Sequence, residues 1–272
     1  MTAHLSKVPP TSLNQDSTAW FKAALPTAKR RRWRLLCLPY AGGSANVFRH
    51  WHRYLPADVD VVAVQYPGRE ERMSEARPPS VQSLAAGLAD ALDCAGGHGP
   101  YAIFGHSLGA LVGFELAREM RRRGSQPPLH LFISGASGPH VNAHATAPRH
   151  LWADPEFIDE LERMKGTPPE LLREPELIRL LLPTLRLDLG LVDTYACGNE
   201  PPLDVPMDAI GGLDDAQVPR DGLSQWSVES RAGFRMTMFA GDHFFLHPMA
   251  PLICGLITER VDSALHAAEQ RA

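Results

Sequence analysis

Six stretches of this chain are apolar almost without interruption. They read "LLCLPYAGGSA", "VDVVAVQYPG", "YAIFGHSLGA", "LHLFISGAS", "VPMDAIGG" and "FRMTMFAGDH". Short apolar runs that do not alternate with polar residues are expected of strands buried on both faces. Helical periodicity separates them. "SVQSLAAGLADAL" is one such segment, and Leu108, Val112, Leu116 and Met120 recur every fourth position, with Leu111 alongside and Arg121 to Arg123 closing the last turn. "PLICGLITERVDSALHAAEQ" predicts a C-terminal helix. Apolar strands alternating with amphipathic helices specify a mostly parallel, doubly wound α/β sheet covered on both faces.

One region breaks the alternation. Between Ser137 and Leu203 no strand pattern occurs, but "DPEFIDELERMKG" and "PPELLREPELIRLLLPTLRLDLGLVDTY" carry helical spacing punctuated by Pro155, Pro168, Pro169, Pro175 and Pro183. Helices inserted there lie above the C-terminal edge of the sheet, where ligands bind in such folds, so a helical lid is expected over about residues 140–200. Its Leu181, Leu185 and Leu189 are the candidate lining of a substrate chamber. Residues 1–29 read as a mobile N-terminal segment with one docked apolar patch at Trp20-Phe21, and residues 30–272 as a single domain. The basic run from Lys29 to Arg34 reads as a solvated approach to the first strong strand.

Composition adds exclusions. A chain that is 44% hydrophobic and 21% charged supports a core, and a formal net charge of -4 argues against nucleic acid or an anionic membrane as partner. The four cysteines Cys37, Cys94, Cys197 and Cys254 are dispersed, with no metal-ligand spacing. With neither a leader-like apolar segment nor a membrane-spanning run, a cytoplasmic location is expected.

The chemistry centres on Gly105-His106-Ser107-Leu108-Gly109. Ser107 could simply cap the helix that follows, since serine is a favoured N-cap. Its place where a buried strand passes into a helix is, however, the context of a nucleophile elbow, and the glycines permit the sharp turn. A serine hydroxyl needs a base held by a third group. Among twelve histidines, His243 follows the strand "FRMTMFAG" and is the expected base; His247, beside Pro248, reads as packed or capping, and His106 is expected to point away from Ser107. His50 and His52 flank Trp51 on an expected surface helix. The acid is expected in the loop after "VPMDAIGG", where Asp215 is chosen and Asp214 is the fallback. For the oxyanion, the N–H of Leu108 directly after the nucleophile and that of Ala41 in the glycine-rich loop are the expected donors, with Tyr40 and Gly42 as near alternatives to Ala41. A phosphate-binding reading of Gly42-Gly43-Ser44 lacks the required lysine and spacing.

With "LCLPYAGGSA", "VQYPGREER", "FGHSLGA", "LRLDLGLVDTY", "GGLDDAQVP" and "GDHFFL" in place, the chain resembles the type II editing thioesterases of polyketide and nonribosomal peptide synthases, within the α/β-hydrolase superfamily. The resemblance runs from about Trp33 to the C-terminal helix. It implies hydrolysis of acyl groups from the phosphopantetheine thioester of an acyl or peptidyl carrier protein, with no metal or other cofactor. Two departures stand out: Asp242 occupies a position commonly glycine and is expected to bring negative charge near His243, and Leu108 one that is often methionine. An acyltransferase, a carboxylesterase and a non-catalytic binding module are the alternatives. Carrier proteins being acidic, Arg69 and Arg72 in "PGREER" are candidate docking cations.

Overall fold

A computed structural model describes residues 19–23, 32–95, 99–140, 148–166, 171 and 173–270. Most of the expected mobile segment, Lys29 to Arg31 of the basic run, and Pro168, Pro169 and residues 141–147 of the expected lid lie outside the described residues.

The strands are β1 (Phe21–Ala23), β2 (Trp33–Leu38), β3 (Val59–Val64), β4 (Tyr101–His106), β5 (Leu131–Ser134), β6 (Met207–Gly212) and β7 (Phe234–Phe239). They form one sheet in the order β1-β3-β2-β4-β5-β6-β7. Only β1 runs antiparallel to its neighbour. The centre of the sheet is covered on both faces: every residue of β4, β5 and β6 is buried, and its polar members are paired, Asp208 with His130 at 2.7 Å and Ser134 with His106 at 2.9 Å. The strand β1 has no sequence signature beyond Trp20-Phe21, and Trp20 beside it is buried in the core.

On one face pack α1 (Val81–Cys94) and α2 (Leu108–Arg122), through Leu84, Leu88, Leu111 and Leu116. The chain enters α1 through a capping box in which the Ser80 hydroxyl accepts from the Ser83 N–H and the Ser83 hydroxyl from the Ser80 N–H, satisfying two otherwise orphaned donors. On the other face lie α6 (Ala250–Glu269), through Ile253, Ile257 and Val261, and two short 3-10 turns that bury Phe48 and Trp51. Those turns replace the surface helix expected around His50 and His52.

Between β5 and β6 the chain inserts α3 (Asp154–Met164) and α4 (Pro175–Asp193). Prolines sit in the first turn of each helix, where no amide donor is needed. Pro183 does not punctuate α4, which continues through it. A proline inside a helix forfeits a hydrogen bond. The burial of Leu182, Leu185 and Leu189 beside it offsets that loss, and these side chains join Phe157, Leu161 and Ile178 in a small core belonging to the insertion itself. A short α5 (Arg220–Ser224) follows β6.

A buried polar network fastens the chain leaving α4. Glu115 on α2 meets Arg118 at 3.1 Å and accepts from the Tyr195 hydroxyl at 2.8 Å, while Arg118 donates to the Gly198 carbonyl at 2.6 Å and faces Glu200 at 3.3 Å. Removing one member of a buried pair strands the other. Glu115→Ala is therefore expected to lower unfolding free energy by about 3 kcal/mol, the lower end for a broken buried pair because Glu200 still faces Arg118. The double variant Glu115→Leu/Arg118→Met should recover most of that loss. Urea unfolding of the three proteins measures both effects.

Candidate active site

The backbone rather than any side chain builds the elbow. Ser107 has φ 54° and ψ -114°, a conformation costly for a residue with a Cβ. Its N–H donates to the Ser134 carbonyl at 2.7 Å, extending the β4–β5 pairing one residue past the end of β4. Its hydroxyl makes no capping bond to α2, which removes the ordinary reason for a serine at a helix start. The flanking glycines are dictated by contact: a Cβ on Gly105 would collide with the Gly109 carbonyl, and one on Gly109 with the Leu38 carbonyl of β2. Strand and helix can therefore approach only with no side chain at either position.

The loop after β6 carries Asp214 and Asp215, and the structure distinguishes them. Asp214 is exposed and Asp215 buried. One oxygen of Asp215 accepts from the N–H groups of Gln217 at 2.8 Å and Val218 at 3.2 Å, which fixes the carboxylate from within its own loop. The other lies 2.8 Å from Nδ1 of His243, in the loop after β7. His243 is itself buried and lines, together with Ser107, a cavity of about 480 Å³. Serine, histidine and aspartate thus meet at one edge of the sheet, each from a different strand end.

The surrounding histidines divide cleanly. His247 pairs with the Tyr40 hydroxyl at 3.1 Å, and burial lowers its pKa. His106, expected to point away from Ser107, packs beside the base: its ring centroid lies 5.1 Å from that of His243, and its Nδ1 is 2.9 Å from the Ser134 hydroxyl. Burial holds its pKa well below the usual histidine value, so it stands as a neutral wall beside His243. Asp242 turns outward: its carboxylate accepts from the Phe244 N–H at 3.0 Å and faces Lys165 at 3.7 Å, and the side chain is 41% exposed.

The glycine-rich loop after β2 folds as a turn closed by Gly43 N–H on the Tyr40 carbonyl at 2.9 Å, with Gly42 at φ 77°. Both features belong to a type II turn, which favours glycine at that position. A Cβ on Gly42 would collide with Leu185 of α4. The Gly42 N–H donates to Asp188 at 2.6 Å, so Gly42 is no longer an alternative oxyanion donor. The N–H groups of Ala41 and Leu108 have no hydrogen-bond partner among the described residues.

Arg69 and Arg72, expected as docking cations, are both only 4% exposed and face inward. Arg69 pairs with Asp188 of α4 and donates to the Gly43 carbonyl at 3.1 Å. Arg72 donates to the Gln65 carbonyl at 2.7 Å, pairs with Glu75 at 2.6 Å, and lies over the Trp20 ring at 4.4 Å. Neither is available to a partner's surface. Asp188 was not singled out from the sequence, although an acid within the leucine-rich run "IRLLLPTLRLDLGL" is a signal in itself, because a buried carboxylate requires a partner.

Leu181, Leu185 and Leu189 line a second cavity of about 740 Å³, with Tyr40, Leu161 and Phe244. Met164 and Leu189 also line the Ser107 cavity, so the two spaces adjoin. Among the described residues no group of His, Cys, Asp or Glu could hold a metal ion, and no described helix is long and apolar enough to cross a membrane.

This geometry agrees with what the chain resembles. Residues 33–260 match the thioesterase domain family. The gramicidin S biosynthesis protein GrsT of Aneurinibacillus migulanus is 38% identical over 79% of this chain and 83% of its own. The thioesterase PikA5 of Streptomyces venezuelae is 35% identical over 92% of this chain and 88% of its own. Among solved structures, the type II thioesterase BorB from the borrelidin cluster superposes with a TM-score of 0.80 at 34% identity, covering 89% of this chain and 98% of its own. YbtT, the type II thioesterase of the yersiniabactin pathway, gives 0.81 at 30% identity, covering 90% and 99%. An α/β-hydrolase fold with these relatives carries one conclusion: the chain belongs to the thioesterase family, among the type II thioesterases of polyketide and nonribosomal peptide biosynthesis.

Proposed function

We propose that Ser107, His243 and Asp215 form the catalytic triad with which this thioesterase cleaves acyl groups from the phosphopantetheine arm of a carrier protein. The carrying observation is the 2.8 Å Asp215–His243 pair at the cavity that Ser107 also lines. His243 takes the Ser107 proton through Nε2, because Nδ1 is engaged by Asp215. Ser107 attacks the thioester carbonyl, and the N–H groups of Leu108 and Ala41 receive the oxyanion. The carbon–sulfur bond breaks as His243 gives the proton it took from Ser107 to the pantetheine sulfur, which leaves as a thiol, so the imidazole is neutral again. Water, deprotonated by the same imidazole, then attacks the acyl-serine ester and releases the free acid. The sequence requires side chains and amides alone, and so no cofactor.

The two adjoining cavities suit the two halves of the substrate. The larger, lined by Leu161, Leu181, Leu185 and Phe244, suits an acyl chain. The Ser107 cavity, with Arg149, Glu160 and Gln217 in its wall, suits the amide-bearing arm. In this reading α3 and α4 serve as the lid, and the enzyme works in the cytoplasm beside a synthase whose carrier it clears.

Ser107→Ala is expected to fold normally and to lose at least ~10³-fold in turnover of an acyl-carrier thioester. Near-parental turnover would remove the nucleophile assignment. Comparison of water with amine and alcohol acceptors in the same assay separates hydrolysis from acyl transfer.

Asp215→Asn is expected to reduce kcat by about 10²- to 10⁴-fold, since the amide no longer holds the imidazole in its working tautomer. Asp214→Asn, on the exposed neighbour, should leave the rate near parental. Steady-state kinetics of the pair reads the ranking.

Leu185→Ala opens the larger cavity and is expected to move kcat/KM toward longer acyl chains. Each methylene that gains room is worth about 1 kcal/mol, roughly fivefold. Unchanged chain preference, accompanied only by a lower Tm, would assign Leu185 to ordinary core.

A further inference from the structure

We propose that Asp188 is a positioning residue that reaches from α4 to hold the oxyanion loop in its working shape. This inference rests on the reading of Ala41 N–H as an oxyanion donor.

Asp188 is 4% exposed on a helix face whose other buried side chains, apart from Thr184, are apolar. Burying a carboxylate is expensive, and such a group persists only where paired and hydrogen-bonded. Its partners here are unusual in kind. A single oxygen, Oδ2, accepts both the Gly42 N–H and the Arg69 guanidinium. Through Nε, Arg69 in turn donates to the Gly43 carbonyl at 3.1 Å. The Ala41–Gly42 peptide is held by its N–H, and the Gly43–Ser44 peptide by its C=O. The bond from Gly43 N–H to the Tyr40 carbonyl closes the turn across them. The Ala41 N–H thus hangs between the end of β2 and a turn whose peptide planes are fixed.

Charge favours the same arrangement. A lone carboxylate beside an oxyanion site would oppose the negative charge that develops in the transition state. Arg69 neutralises it, so the loop gains a fixed acceptor with no net negative charge nearby. Leu185, one turn earlier on α4, occupies the space above Gly42. The helix that covers the larger cavity is therefore also the helix that shapes the loop.

A second tie between the same elements supplies a control. Arg77 donates to the Gly68 carbonyl at 3.1 Å and to the Thr184 hydroxyl of α4 at 2.7 Å, and among the described residues its hydrogen bonds do not reach residues 40–43. If Asp188 merely anchors α4, cutting the Arg77 tie should have the same consequence. If Asp188 positions the oxyanion loop, it should not.

The test compares the parent with Asp188→Ala, Asp188→Asn, Arg69→Lys and Arg77→Gln. Four readouts are kcat, KM, Tm and the inhibition constant of an alkyl boronic acid, whose tetrahedral serine adduct places an oxygen where the oxyanion forms. Asp188→Ala is expected to lower kcat by about 10- to 100-fold, less than outright loss of a donor, and to weaken the boronate by a similar factor. KM should change less than about threefold, because the acyl thioester ground state does not depend on the donor. Asp188→Asn keeps an amide oxygen for Gly42 N–H and should recover much of both losses. Arg77→Gln should keep parental kcat and boronate affinity even if its Tm falls. Should Asp188→Ala fail to fold, Arg69→Lys decides, since a lysine has a single nitrogen in place of the two that serve Asp188 and the Gly43 carbonyl: kcat and boronate affinity should fall together. Unchanged kcat and boronate affinity in Asp188→Ala or Arg69→Lys would overturn the proposal, as would an equal loss in Arg77→Gln. A parent enzyme that hydrolyses thioester yet binds no boronate would overturn the oxyanion reading and this proposal with it.

Discussion

Everything at this site depends on how closely backbones approach at Gly105 and Gly109. The carbonyl of Leu38 fills the space that a Cβ on Gly109 would need, and the carbonyl of Gly109 fills that of Gly105. With β2, β4 and α2 held so tightly, the residue between strand and helix has little freedom, and Ser107 takes a conformation that a side-chain-bearing residue rarely adopts. The parallel sheet supplies the rest. Because β2, β4, β6 and β7 run in one direction, the loops bearing Ala41, Ser107, Asp215 and His243 all leave the same edge.

Polar groups buried at that edge are arranged for orientation more than for stability. The Asp215 carboxylate uses one oxygen on its own loop amides and the other on His243, so the imidazole is aimed by an acid that is itself immobilised. Asp188 and Arg69 repeat the device on the far side of the site, with a loop peptide in place of an imidazole. Pairs of this kind seldom add much net stability, because desolvation consumes most of their attraction. What they provide is a fixed geometry. His106 contributes in another way, as a neutral ring filling the space beside His243.

The strands and their direction were legible because a sheet covered on both faces writes itself as continuous apolar runs, and "YAIF" or "LFIS" has few other uses. The site was legible where a strand end and a reactive side chain coincide, as at Ser107 and His243. Asp215 was chosen over Asp214, and it is Asp215 that meets His243, but adjacent acids in one loop differ only in which way the loop turns them, which no local pattern records. The arginines of "PGREER" were misread for a related reason. Locally they form a mixed charge run of the sort that is normally solvated, while the partner that draws Arg69 inward lies 119 residues away on α4. Local pattern also fails at β1, where three residues pair with β3, and at Pro183, where packing within the insertion outweighs a helix breaker.

The most direct test of the account is to catch the intermediate. Mixing the enzyme with an acyl-carrier protein bearing a radiolabelled acyl group, quenching in acid within the first turnover and mapping the labelled peptide should place the acyl group on Ser107, in the peptide spanning the elbow. In Asp215→Asn the same label should appear more slowly, on the same residue. A label on any other side chain, or full hydrolysis with Ser107 never acylated, would contradict the account.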